Sequence, residues 1–149
     1  MRRLSLLIVV GLALVVGGCG GDDDETTTGS GTTDTVEAEK QATTLPISMT
    51  EFKFTPANPE LARGKLEITA TNKGKTAHTL VLLKTDADPS KLPKRGDNVS
   101  EKNSIGEIPP LVPGESAAHT FDLKPGTYVM VCNVPGHYDA GMYGTLTVR

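Results

Sequence analysis

Basic excess, helical periodicity and long apolar runs are all missing from these 149 residues, which hold only two cysteines and three histidines. Each absence removes a class of protein. No stretch repeats its apolar residues with a sustained helical period, which argues against a helical bundle. Fifteen lysines and arginines face eighteen acids with no basic stripe, so nucleic acid is not an expected partner. The longest apolar stretch, Leu4 to Val16, has thirteen residues. That is short of the ~20 residues a spanning helix needs, and it has the length of a signal-peptide core behind the basic pair Arg2-Arg3.

The apolar stretch ends in Val16-Gly17-Gly18-Cys19, small residues directly before a cysteine. This resembles the lipobox of bacterial lipoproteins. It implies that residues 1–18 are a signal peptide cleaved before Cys19, and that Cys19 carries lipid. The chain is then expected to be exported and anchored to the cell membrane, on its periplasmic or extracellular face. Residues 20–42 hold seven acids and one base, Lys40, a balance of −6, whereas 43–149 hold eleven acids and twelve bases. Residues 19–42, rich in Gly, Asp and Thr, cannot bury enough apolar surface to offset the entropy of ordering and read as a flexible acidic linker. About 22 residues of flexible coil reach roughly 25–30 Å, and self-repulsion extends them further.

From residue 43 the pattern is all-β. Leu45–Phe54 reads as a strand that stops at Thr55-Pro56. Leu66–Ala70 alternates cleanly up to the turn Asn72-Lys73-Gly74-Lys75. Thr79–Lys84 is a continuous apolar run, as expected for a strand in mid-sandwich. Ala117–Leu123, Thr127–Cys132 and Gly144–Val148 complete six candidates, with Pro113-Gly114 and Pro125-Gly126 as turns. Six short strands so punctuated predict a two-sheet β-sandwich with Greek-key connections over 43–149. The polar segment 85–112, interrupted by four prolines, stays open: a helical turn around Asp88–Leu92, a functional loop, or a packed flap.

With Cys19 assigned to lipid, Cys132 is an unpaired thiol in an oxidising compartment, which suggests intermolecular pairing or a specific chemical task. Its neighbours point to the task. Cys132, His137 and Met142 stand at intervals of five, and His78 lies fifty-four positions upstream, where an apolar strand begins. Two imidazoles, a thiolate and a weak thioether are soft and borderline ligands that select copper over zinc or magnesium and form a blue-copper site. A structural zinc site prefers Cys and His alone. His119 shares the parity of Phe121 and Leu123 and reads as an inward-pointing structural histidine. Met49 and Met130 read as packing residues.

The order His78, then Cys132-Asn-Val-Pro-Gly-His137-Tyr-Asp-Ala-Gly-Met142-Tyr-Gly-Thr-Leu-Thr-Val148, resembles the cupredoxins, small blue type 1 copper proteins. Its Cys-x4-His and His-x4-Met gaps are most similar to the rusticyanin, auracyanin and sulfocyanin branch, since plastocyanins have a shorter first gap. Met49-Thr-Glu-Phe-Lys-Phe54-Thr-Pro56 is similar to the first strand of many small bacterial members. The resemblance implies a cupredoxin-like sandwich with one copper ion per chain, cycling between Cu(I) and Cu(II), held by His78, Cys132, His137 and Met142. It also implies that Thr79, where other members have Asn or Ser, hydrogen-bonds toward the cysteine sulfur or ties the loops together. The Ala77 carbonyl is a candidate distant contact that the sequence leaves undecided.

The leading expectation is a monomeric, membrane-tethered, extracytoplasmic one-electron carrier between a redox-protein donor and acceptor. A His137 edge near the surface, ringed by Val134, Pro135, Ala140 and Tyr143, would give such partners a small apolar face. The alternative is a copper-binding protein for storage, delivery or resistance. A metal-free envelope interaction module is a third reading. An enzyme is not expected: multicopper oxidases and copper nitrite reductases need many more histidines, and a dinuclear centre needs a second cysteine in the loop.

Overall fold

The computed structural model describes residues 42–149. The leader, Cys19 and all but the last residue of the linker lie outside the described residues. Eleven strands run in chain order: β1 Thr43–Thr50, β2 Lys53–Thr55, β3 Glu60–Leu61, β4 Gly64–Asn72, β5 His78–Lys84, β6 Lys94–Arg95, β7 Asn98–Val99, β8 Ser104–Leu111, β9 Ser116–Leu123, β10 Gly126–Val131 and β11 Tyr143–Val148. They form a four-stranded sheet in the order β2-β1-β4-β9, a five-stranded sheet β3-β11-β10-β5-β8, and the small hairpin β6-β7. No helix occurs among the described residues. The expected all-β, two-sheet sandwich is the observed fold.

Alternation builds the first sheet. In β4, Leu66, Ile68 and Ala70 turn inward, and β1 lies parallel to it with Leu45 beside Ile68 and Ile47 beside Ala70. A one-residue slip would turn every one of these side chains to solvent, so burial fixes the register. The predicted strand Leu45–Phe54 is in fact a hairpin. Thr50 pairs with Lys53 across the two-residue connection Glu51-Phe52, and Phe52 sits at φ 60°. An aromatic residue in the left-handed region is sterically costly and holds only where its surroundings demand it.

The second sheet explains the apolar run of β5, which is buried on both faces. Leu80 and Leu82 point into the core between the sheets, with Ile108, Met130 and Leu146. Val81 and Leu83 point the other way, into an outer cluster with Leu92, Val99, Val129, Val131 and Tyr138. Segment 85–103 is therefore a flap. It covers the outer face of the five-stranded sheet with Leu92 and Val99, and the Tyr138 hydroxyl secures it by accepting the Leu92 N–H (2.9 Å) and donating to the Pro89 carbonyl (2.9 Å). Asp88–Leu92 forms a turn, not a helix. The rest of the open segment is β8, an edge strand beside β5, and an edge is where Pro109 and Pro110 can sit without breaking a ladder.

Candidate metal centre

Four elements converge at one pole of the sandwich. Residue 132 is the first beyond β10, and the loop it opens closes on itself. Cys132 N–H donates to the Met142 carbonyl, Met142 N–H to the His137 carbonyl, and His137 N–H to the Val134 carbonyl, each at 3.0 Å. Gly141 sits at φ 101°, a conformation that favours glycine and lets the loop return to β11. His78 comes from the start of β5, delivered by a loop anchored on Asn72. That fully buried amide donates to the carbonyls of Thr76 (2.7 Å) and Leu111 (2.8 Å) and accepts the Gly74 N–H (2.8 Å).

The result is a triangle of donor atoms. His78 Nδ1 and His137 Nδ1 are 3.1 Å apart, and Cys132 Sγ lies 3.4 Å from the second and 4.0 Å from the first. The point equidistant from these three corners lies about 2.1 Å from each, within the ~2.0–2.3 Å of metal bonds to nitrogen and sulfur. Both imidazoles thus turn the same nitrogen inward, and the donor set fits an ion with no rearrangement. His78, Cys132 and Met142 are fully buried and His137 is nine-tenths buried. Burial depresses the basicity of both histidines, with the proximity of His137 a further cause at His78, so both rings favour the neutral form that ligates. Met142 is tied through its backbone to Cys132 and His137 and belongs to the same buried cluster as Cys132.

Thr79 works on the sulfur and on the loop at once. Its backbone N–H donates to Cys132 Sγ at 3.4 Å, its hydroxyl lies 3.9 Å from the same atom, and that hydroxyl accepts the Asn133 N–H at 2.9 Å. Asn133 carries no signal in the sequence. Its side chain accepts the Val99 N–H (2.7 Å) and donates to the Val99 carbonyl (3.1 Å) and to Glu101, pinning the flap to the cysteine loop.

The profile of the copper-binding proteins of the plastocyanin/azurin family matches residues 41–149. The chain is a cupredoxin. Auracyanin-B of Chloroflexus aurantiacus is 51% identical to it over 47 residues, 31% of this chain and 20% of that protein, so the match spans about a fifth of that relative's length. The structure of dithionite-reduced auracyanin from Roseiflexus castenholzii superimposes with a TM-score of 0.61 at 29% identity, covering 72% of this chain and 98% of the other. Reduced rusticyanin shares the fold at 19% identity, with a TM-score of 0.53 over 72% of this chain and 81% of the other. The cofactor of this cupredoxin is copper.

Some neighbours of this cupredoxin's centre differ from expectation. His119 is exposed on β9, its ring 4.5 Å from that of Phe121, and it is not among the converging donors. Tyr143 joins the outer cluster against Tyr138. Phe52, unassigned from sequence, lies edge-on to the His137 ring at 5.3 Å and is 44% exposed. The carboxylate of Glu51 lies 3.9 Å from His78 Nε2. Neither contact has a local sequence signal, since both cross from the β1–β2 turn to distant segments.

Proposed function

We propose that the protein is a mononuclear blue-copper electron carrier, held to the outer side of a cell membrane by lipid on Cys19 and exchanging electrons with redox-protein partners. The observation that carries this reading is the triangle of His78 Nδ1, His137 Nδ1 and Cys132 Sγ, which with Met142 would hold the ion. Copper held there would supply a one-electron couple. The chain's own residues do the remaining work. Two strands and a self-bonded loop fix the donors, so little has to move when charge changes. Thr79 N–H donates to the sulfur and steadies its negative charge. Burial of three donors excludes water and competing ligands.

His137 is the route outward. Exposed Pro135 and Ala140, half-buried Val134, and Phe52 against the ring make a small apolar rim, suited to brief encounters. Handing the metal to a partner would require that partner to reach donors that are fully buried, which favours electron transfer over copper delivery. The leader and the acidic tether support the anchored location. Absorption spectroscopy and voltammetry of the copper-loaded protein test the reading. An intense thiolate-to-copper band, lost in Cys132→Ser, and reversible reduction with copper retained are expected. Release of copper on reduction, or no stoichiometric uptake, overturns it.

A further inference from the structure

His78 Nε2 is fully buried and has no hydrogen-bond partner among the described residues. A buried ring N–H without an acceptor costs free energy, and metal-bound imidazoles almost always give that proton to a carboxylate or carbonyl that fixes tautomer and orientation. The group facing it is Glu51 Oε1, 3.9 Å away. The gap exceeds hydrogen-bond reach by about 0.7 Å, which a small rotation of either side chain closes.

The surroundings are built to hold the carboxylate there. Glu51 Oε1 accepts the backbone N–H groups of Lys75 and, at 3.2 Å, Thr76, in the loop that leads into His78. The Lys75 bond is the main cause that holds the carboxyl below its ordinary range, so it stays ionised. Residue 74 leaves space for the approach: a Cβ on Gly74 would fall 2.7 Å from Glu51 Oε1 and 2.9 Å from His78 Nε2. One turn therefore reaches both imidazoles, through Glu51 at His78 and Phe52 at His137.

We propose that Glu51 is a positioning residue of the copper centre. Its carboxylate holds the proton of His78 on Nε2, leaves the Nδ1 lone pair facing the metal, and favours Cu(II) by its negative charge. This rests on the copper-carrier reading above, and the test separates the two. In the metal-free full-length chain, nitrogen-15 NMR should show slow exchange of the His78 Nε2 proton. Protection should vanish in Glu51→Ala and in Gly74→Ala, whose Cβ crowds both the carboxylate and the His78 ring and so parts them, and persist in Glu51→Gln, which keeps an acceptor. In the copper-loaded chain, Glu51→Ala and Glu51→Gln should each weaken Cu(II) relative to Cu(I) about tenfold, a rise of ~59 mV in reduction potential. Unchanged exchange in both Glu51→Ala and Gly74→Ala overturns the proposal, as does an unchanged potential in the Glu51 variants. A wild-type chain that takes up no copper overturns the functional reading instead, and the exchange data still decide the role of Glu51. Should Glu51→Ala fail to fold, Gly74→Ala and Glu51→Gln carry the test.

Discussion

At the scale of single residues, the centre depends on side chains that serve two neighbours at once. Thr79 is the clearest case, because its N–H reaches the sulfur while its hydroxyl accepts the Asn133 N–H. Thr79→Val keeps the shape and the backbone donor but leaves the Asn133 N–H without its acceptor. The expected cost is about 1–3 kcal/mol, toward the lower end because the site is only part-buried. Removing the hydroxyl dipole near the sulfur should also favour Cu(II) and lower the reduction potential, with Thr79→Ser close to wild type. Urea unfolding and voltammetry check both effects, and a Val variant indistinguishable from Ser would refute the assignment. The ligands themselves are legible in sequence for a chemical reason. Soft donors are rare in this chain, and three of the four share one loop, so spacing reveals them. Glu51 and Asn133 are not legible, since an acid in a turn and an amide in a loop carry no signal until folding supplies their partners.

At the scale of elements, legibility tracks how locally each is determined. β4 alternates and β5 carries the unbroken apolar run Leu80–Leu83, and both are recognisable because the number of covered faces imprints directly on the pattern. β8 is hidden because Pro109 and Pro110 argue against a strand, and only its place at the sheet edge removes the conflict. The Leu45–Phe54 strand reads as continuous because Glu51-Phe52 lacks the glycine or asparagine that usually marks a two-residue turn. The flap is a consequence of β5: a sheet with apolar residues on both faces needs a second cover, and Leu92 and Val99 provide it. Tyr138 locks that cover with one donated and one accepted hydrogen bond. Tyr138→Phe strands the Leu92 N–H and should cost about 1–3 kcal/mol, the penalty for an unsatisfied buried donor. Amide exchange at Leu92 should accelerate while the charge-transfer band of the copper-loaded protein keeps its position. A displaced band would mean that the flap shapes the centre as well as the sheet.

At the scale of the whole molecule, the centre is the end of the hydrophobic core and not an addition to it. Cys132 and Met142 belong to the same buried cluster as Leu80, Leu82, Phe54 and Ile68, and the loop between them is closed by its own backbone bonds. Small metal-dependent domains behave otherwise: they lack such a core, and metal binding is then their folding free energy. Here an extensive buried core is present, so removing copper should leave a cooperative unfolding transition and an unchanged β-sheet circular-dichroism spectrum. Metal should add stability only by mass action, about 2.7 kcal/mol at a free concentration one hundred times the dissociation constant. For a domain of roughly 100 residues that corresponds to a rise in Tm of about 10–20 °C. Calorimetry of metal-free and copper-loaded protein measures it. Loss of the cooperative transition on metal removal would show that the donors assemble around the ion, and that the close approach of the two Nδ1 atoms and the sulfur does not precede it.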